Sequence, residues 1–310
     1  MVELNGKKIL VTFLMHLGDL TLTTPFIHAL RKAAPDAHIT MLVDEKLKDV
    51  VLFNPYLDEV VTIDKKGRDN SILSLWACSR HLSKLDFDVL INLHPNERCS
   101  FIDAMTSVKL RTGTTHKIFK WFWDVFTPLD RSMHAADMYL DVLQQLGVQD
   151  LSSNGLEIFP GEEHFLEAEL FWQEQNITDQ DKLIGFNIGS AVPTKRWPPE
   201  RFAEVADIFA AKGYKTVFFG GPMDEEMVAE ATGYMQTRPI IATGHFAIGG
   251  LAAAMRRCCL IITNDSGPMH VAISQKVPIV AMYGPSNPKL YGPYTKDAVI
   301  VTAQPPCQGC

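Results

Sequence analysis

The sequence predicts an α/β protein built from two Rossmann-like domains, each a mostly parallel sheet covered by helices on both faces. Three observations predict it. Short apolar runs alternate with helical segments, which is the mark of right-handed βαβ units. Those runs lack the polar alternation of half-exposed strands, as expected when helices cover both faces of a sheet. The same strand–loop–helix–strand device also opens both halves of the chain. With 310 residues, 46% of them hydrophobic, the chain is long enough for two cores of ordinary size.

Residues 8–14 read as the first strand. The glycine-containing loop 15–19 leads to a helix over about 22–34, and 37–43 is the next strand. Asp88-Val89-Leu90-Ile91-Asn92-Leu93 is a further buried strand. Residues 133–146 read as a long amphipathic helix. Residues 147–160 then carry turn residues without periodicity, and 161–176 is helical again. The domain boundary is expected near 155–165, dividing 1–160 from 161–310. In the second half, 182–187 is a strand, 188–196 a loop, 199–212 a helix opened by Pro199, and 214–219 a strand. Facing domains of this kind leave a cleft at the carboxyl ends of both sheets, the usual ligand position.

Composition narrows the partners. A formal charge of −7 argues against the broad basic face that nucleic acid requires. The six cysteines are too scattered for a disulfide framework, so a reducing, cytosolic setting is expected. Cys307-x-x-Cys310 has metal-ligand spacing but no second pair to complete four ligands. Lys7-Lys8 and the apolar run after them resemble a signal peptide only superficially, because the run is short and no small-residue cleavage site follows. No run approaches the roughly 18 apolar residues that span a bilayer. The loop-like stretch 304–310 leaves open a natural chain that continues past Cys310.

The most informative stretch is Cys259 to His270. An apolar run stops at Asn264, Asp265-Ser266-Gly267 makes the turn, and Pro268 starts a helix that reaches about Gln275 before the strand at 277–283. Such a turn aims unpaired N–H groups and a helix dipole at the crevice, which suits an anionic ligand. A carboxylate, a hydroxyl and an imidazole within six residues add groups for ribose and phosphate oxygens. In the loop at 189–200, Gly189 and Ser190 allow close backbone approach, and Lys195 can place a point charge on a phosphate. The alternative for this loop is an ordinary βα connection with solvated Lys195 and Arg196. In Gly220-Gly221-Pro222-Met223-Asp224-Glu225-Glu226, a carboxylate can accept from a ribose diol, or these acids are simply the first turn of a helix.

Asp265-Ser266-Gly267-Pro268-Met269-His270, preceded by Lys195-Arg196-Trp197-Pro198 and followed by Tyr283-Gly284-Pro285-Ser286-Asn287-Pro288, resembles glycosyltransferase family 9, the lipopolysaccharide heptosyltransferases. The likeness extends to Gly18-Asp19 and to His134, and so covers nearly the whole chain. It implies a GT-B fold, with the acceptor bound by the N-terminal domain and the nucleotide sugar by the C-terminal one. Lys195 would then contact the donor diphosphate. Asp265, Ser266 and Gly267 would hold phosphates and sugar, with His270 in support. Asp224 or Glu225 would bind ribose, and Thr243-Gly244-His245 would lie near a purine. The chain departs from the family at Ala247-Ile248-Gly249-Gly250-Leu251, where an acidic residue is common.

Sugar transfer needs a base for the acceptor hydroxyl and positive charge on the leaving diphosphate. Asp19 is the candidate base, expected in a loop after the first strand. Read alone, it is as well a helix N-cap; the family's proposed base matches this Gly18-Asp19. His16 lies nearby. Arg111, His116, Lys117 and Lys120 suit an acceptor bearing carboxylates or phosphates. The aromatic run Ile118 to Trp123, flanked by Lys117 and Lys120, reads either as a helix capping the core or as a peripheral contact with the inner membrane face. Asp86-Phe87-Asp88 opens a strand and is not read as a metal motif; the resemblance to GT-B enzymes implies that no metal is needed, basic residues and a helix dipole holding the diphosphate instead, and no cofactor is expected.

The expected activity is inverting transfer of a sugar, a heptose from an ADP-linked donor, to an anionic lipopolysaccharide-type glycolipid. The alternatives are a nucleotide-sugar epimerase and a non-catalytic nucleotide-sugar binder. An NAD-dependent oxidoreductase is disfavoured because Met15-His16-Leu17-Gly18-Asp19 is not Gly-x-Gly-x-x-Gly.

Overall fold

The computed structural model describes residues 2–302 of the chain. Cys307, Cys310 and the stretch 304–310 therefore lie outside the described residues. Two compact units emerge, Met1–Asn154 and Gly155–Cys310. The division falls just before 156–158 because that stretch is tied to the second unit. Gln275 Nε2 donates to the Ile158 carbonyl at 2.8 Å, and Lys276 Nζ to that of Leu156 at 3.0 Å.

The first unit carries strands β1 (Lys8–Thr12), β2 (His38–Asp44), β3 (Glu59–Ile63), β4 (Phe87–Asn92), β5 (Val108–Gly113) and β6 (Val125–Phe126). Its helices are α1 (Leu17–Thr21), α2 (Thr24–Ala33), α3 (Ile72–Ser83), α4 (Glu97–Met105) and α5 (Ala135–Gln145). The second unit carries β7 (Leu183–Asn187), β8 (Lys215–Phe219), β9 (Ile240–Ile241), β10 (Cys258–Asn264), β11 (Ile279–Tyr283) and β12 (Ala298–Thr302). Its helices are α6 (Glu162–Glu174), α7 (Pro199–Ala211), α8 (Glu225–Tyr234), α9 (Ile248–Met255), α10 (Gly267–Ser274) and α11 (Pro288–Tyr291).

The two sheets are topological copies. The first runs β3-β2-β1-β4-β5-β6, the second β12-β11-β10-β7-β8-β9, and every pairing is parallel. Counted from each unit's own first strand, both have the Rossmann order 3-2-1-4-5-6. Strand order therefore reverses between β1 and β4 and again between β7 and β10. Ligands of open α/β sheets sit at the carboxyl ends of such strand pairs. The central strands are buried along their length, and the sheets are sandwiched by helices. Leu10, Leu90, Phe87 and Ile102 anchor one core; Phe186, Phe202, Phe218 and Ile262 anchor the other. Phe186 stacks on Phe218 at 5.2 Å, and each such fully buried ring contributes about 1.5–3 kcal/mol.

Two local expectations are corrected. The first helix begins earlier than residue 22 and is broken. Pro25 cannot donate to Thr21 and would clash with that carbonyl, so α1 ends at Thr21 and α2 restarts with Pro25 in its first turn. Asp19 therefore stands inside α1 rather than in a loop, and the residue before that helix is His16. The segment 117–122 is a short 3-10 turn, not a core-capping helix, and none of its residues is buried. Among the described residues no helix is long and apolar enough to cross a membrane.

Candidate functional site

In the second unit, the ends of β7 and β10 carry a network that folds the loop after β7. Asn264, fully buried, accepts from the Trp197 N–H through Oδ1 at 2.9 Å and donates from Nδ2 to the Ile188 carbonyl at 2.7 Å. It thus ties both ends of the loop to β10. Arg196 Nε donates to the Ser190 carbonyl at 2.8 Å, closing the loop on itself. Trp197 meets Phe202 edge-on at 4.9 Å and seats the loop on α7. Arg196 is therefore a loop brace, and Ser190 is buried within the fold it makes.

This loop delivers Lys195 to the turn after β10. Lys195 Nζ lies 2.8 Å from Oδ2 of Asp265, whose side chain is 5% exposed while that of Lys195 is 29% exposed. A buried carboxylate thus holds an ammonium that still reaches solvent, beside the first turn of α10. Ser266 precedes that helix without capping it; its Oγ instead accepts from Asn187 Nδ2 at 2.9 Å, and Asn187 also donates to Thr263 Oγ1 at 2.9 Å. The side chain is thereby turned away from the helix's first N–H groups, and Pro268 contributes none. The donors a helix start offers at this tip are the backbone N–H groups around Gly267, which have no partner within the helix. His270 is buried one turn further on. Tyr283 lies beside Asp265, and burial together with that carboxylate pushes its phenol pKa up. A cavity of about 400 Å³ is lined by Thr194, Lys195, Arg196, Trp197, Tyr283 and Gly284, among others.

The neighbouring strand ends bring the remaining second-unit candidates together. Gly189 backs directly onto the Asp224 carboxylate, where any side chain would collide. Asp224 Oδ2 accepts from the Gly221 N–H at 2.9 Å, so this acid braces its own turn. Glu225 opens α8, exposed, with its carboxylate against Gly244. Gly244 has φ +75°, a backbone region glycine favours. Thr243 Oγ1 donates to the Phe218 carbonyl at 3.2 Å. Of the two acids, Glu225 is the one left facing outward.

In the first unit, a cavity of about 520 Å³ at the ends of β1 and β4 is lined by Met15, His16, Lys65, His94, Glu97, Arg98 and His116, among others. Lys65 Nζ donates to the carbonyls of Leu14 at 2.8 Å and Met15 at 2.9 Å and pairs with buried Asp44 at 3.1 Å. It pins the segment that leads into α1, and so fixes where Gly18 and the half-buried Asp19 stand. Beneath the cavity, burial with the nearby Lys65 and His16 pushes the His94 pKa down to about 4, so its ring is neutral at pH 7. Asp103 is fully buried, accepts from Thr12 Oγ1 at 2.9 Å, and is pushed up by burial to about 8.

The structure gathers His16 and His116 at this cavity but not the other basic candidates. Arg111 is corrected: it lies in β5, and its guanidinium donates to the carbonyls of Asp103 and Thr106 at the end of α4. Lys120 lies over the Phe126 ring at 4.4 Å, and Lys117 is exposed on the 3-10 turn. His134 caps α5, accepting from the Ala136 N–H at 3.2 Å. Asp88 pairs with Lys109 at 2.6 Å at the opposite, amino-terminal end of the sheet, a structural role. Lys65, His94, Arg98, Asn187 and Asn264 escaped the sequence reading. Only Asn187 and Asn264 carried a signal: polar residues closing otherwise apolar strands.

Comparison with known proteins bears on the family and the fold. A family model described as glycosyltransferase family 9 (heptosyltransferase) matches residues 75–310. Lipopolysaccharide heptosyltransferase 3 of Escherichia coli K12 is 24% identical over 297 residues, covering 91% of this chain and 84% of that protein. The crystal structure of a family 9 glycosyl transferase from Veillonella parvula superposes with TM-score 0.96 at 56% identity, covering 98% of this chain and 89% of the other. Escherichia coli heptosyltransferase WaaC with ADP shares the fold, with TM-score 0.76 at 18% identity over 97% of this chain and 94% of that one. The fold is GT-B, and the chain belongs to glycosyltransferase family 9, the heptosyltransferase family.

Proposed function

We propose that this glycosyltransferase moves a heptose from an ADP-linked donor to a hydroxyl of an anionic, lipid-linked acceptor of the lipopolysaccharide core, with inversion. The observation that carries the donor half is the Lys195 ammonium held by buried Asp265 beside the first turn of α10. An ammonium and backbone donors are what a departing diphosphate needs, because charge develops on its bridging oxygen as the bond to the sugar breaks. Lys195 and the amides at Gly267 grip the phosphates, with Ser190 and Gly189 alongside. Glu225 is the acid offered to the ribose, and Thr243 and Gly244 border the base. The WaaC structure with ADP supports an adenine nucleotide by kinship of fold.

On the acceptor side, Asp19 takes the proton of the attacking hydroxyl. That oxygen bonds to the anomeric carbon from the face opposite the diphosphate, ADP departs, and configuration inverts. His16, His116 and the flanking cations Lys117 and Lys120 favour an acidic acceptor. Family membership in a transferase family displaces the epimerase and binding-protein alternatives. The test is a thermal-shift series with ADP, UDP and GDP. ADP is expected to raise the melting temperature most; equal shifts, or a preference for UDP, would refute the adenine assignment.

A further inference from the structure

We infer that the exposed side chains of Met223 and Val192 hold the base of the donor nucleotide between them and make the second unit prefer a purine to a pyrimidine diphosphate. Met223 is 93% exposed, and no other methionine among the described residues is more than partly exposed. It sits in the 3-10 turn Pro222–Asp224 that follows β8. That turn is pinned at both ends. The Asp224 N–H donates to the Gly221 carbonyl at 2.9 Å, and the Gly221 N–H donates to Asp224 Oδ2 at 2.9 Å. Pro222 fixes the backbone angle at the entry. The turn therefore holds the Met223 side chain out into solvent, away from any core.

Its neighbours on both sides are parts of the candidate site. Gly189, just after β7, backs onto the Asp224 carboxylate, and Gly244, just after β9, lies against Pro222 and Glu225. The turn thus stands between the loop after β7 and the strand end at 243–244. On that loop Val192 is 45% exposed, and its carbonyl accepts from the Lys195 N–H at 3.0 Å. Two apolar side chains therefore stand out on adjoining strand ends. One is tied to the residue whose ammonium is proposed for the diphosphate. The other lies two residues before the carboxylate proposed for the ribose.

Single exposed apolar residues are ordinary, but these two stand at the carboxyl ends of adjacent parallel strands, where open α/β sheets bind ligands. Chemistry selects the part of the ligand they meet. An isopropyl group offers no hydrogen bond and a thioether only a weak acceptor, so neither suits a phosphate or a sugar hydroxyl. The base is the part of a nucleotide that presents an aromatic face, and a polarizable sulfur is favourable against such a ring. The fused rings of a purine cover more of both side chains than the single ring of uracil does. The inference deepens the proposed function and rests on its donor site.

The test is methyl NMR of the full chain labelled with ¹³C at the methionine methyl groups, with the Met223 signal assigned by its loss in Met223→Leu. ADP is expected to move that signal upfield through the ring current of the adenine, and pyrophosphate alone should leave it in place. Calorimetry supplies the second readout. Met223→Ser and Val192→Ser are each expected to weaken ADP at least fivefold, while the affinities for UDP and pyrophosphate stay within twofold of wild type. Binding of ADP without a Met223 shift would overturn the inference and leave the proposed function standing. So would a shift of the same size with pyrophosphate, which would mark a moving turn, or an ADP affinity unchanged in both variants. Failure of the wild type to bind ADP at all would overturn the donor assignment and this inference with it.

Discussion

Lys195 and Asp265 act as a pair, and neither is fully informative alone. Removing the buried carboxylate's partner leaves a charge with little water around it, so the two substitutions have different stability costs. Asp265→Asn keeps the shape but releases the lysine. We expect ADP affinity to fall several-fold to tenfold, measurable by calorimetry; unchanged affinity would mean that Lys195 needs no anchor. Asp19→Ala is expected to lower turnover by about 10²–10⁴, the usual worth of a positioned base, while ADP binding survives. Transfer at the wild-type rate would remove Asp19 from the chemistry.

At the scale of elements, each proposed subsite is a strand end plus a loop held by a side chain from elsewhere. Lys65 holds the segment before α1, and Asn264 holds the loop after β7. Lys65→Met should therefore lower kcat for transfer with little change in ADP affinity, because its three partners all lie in the first unit. An equal loss of ADP affinity would show general unfolding instead. Asn264→Ala leaves the buried Ile188 carbonyl unpaired and removes the acceptor of the Trp197 N–H, a cost of about 1–3 kcal/mol, visible as a lower denaturation midpoint. This is also where the sequence was hardest to read. The strands and the turn at 265–267 were legible because apolar runs and small residues have local signatures. The broken first helix was not, since the propensity of 17–33 is helical and only Pro25 marks the break. Arg111 looked like a ligand-facing cation because its acceptors, carbonyls at the end of α4, are invisible in a linear chain. Lys65 and Arg98 were missed for the same reason: their partners, the Leu14, Met15 and Lys65 carbonyls and the Asp44 and Asn70 side chains, are brought close only by the fold. β3, β6 and β12 are short or at sheet edges, where half-exposed apolar residues give a weak pattern.

For the molecule as a whole, one topology used twice places a candidate site at the same switch point of each sheet. The first unit builds its site above two buried titratable groups, and these set a pH dependence. His94, depressed from 6.5 to about 4, makes stability rise between those values, because the unfolded chain holds the extra proton. Asp103, raised from 3.8 to about 8, does the opposite. Its folded form keeps a proton the unfolded chain has released, so its contribution is lost as pH climbs toward 8. Above about pH 6.5 only the Asp103 slope remains of these two. Chemical denaturation should show stability falling between about pH 6.5 and 8.5, and Asp103→Asn should flatten that fall; a variant with the same slope would assign it elsewhere. The central claim is that the loop after β7 and the turn after β10 grip the diphosphate of an adenine nucleotide. Its most direct measurement is calorimetric titration of ADP into the wild type and Lys195→Ala. The account predicts binding by the wild type and a loss of at least tenfold in the variant, whereas equal dissociation constants would contradict it.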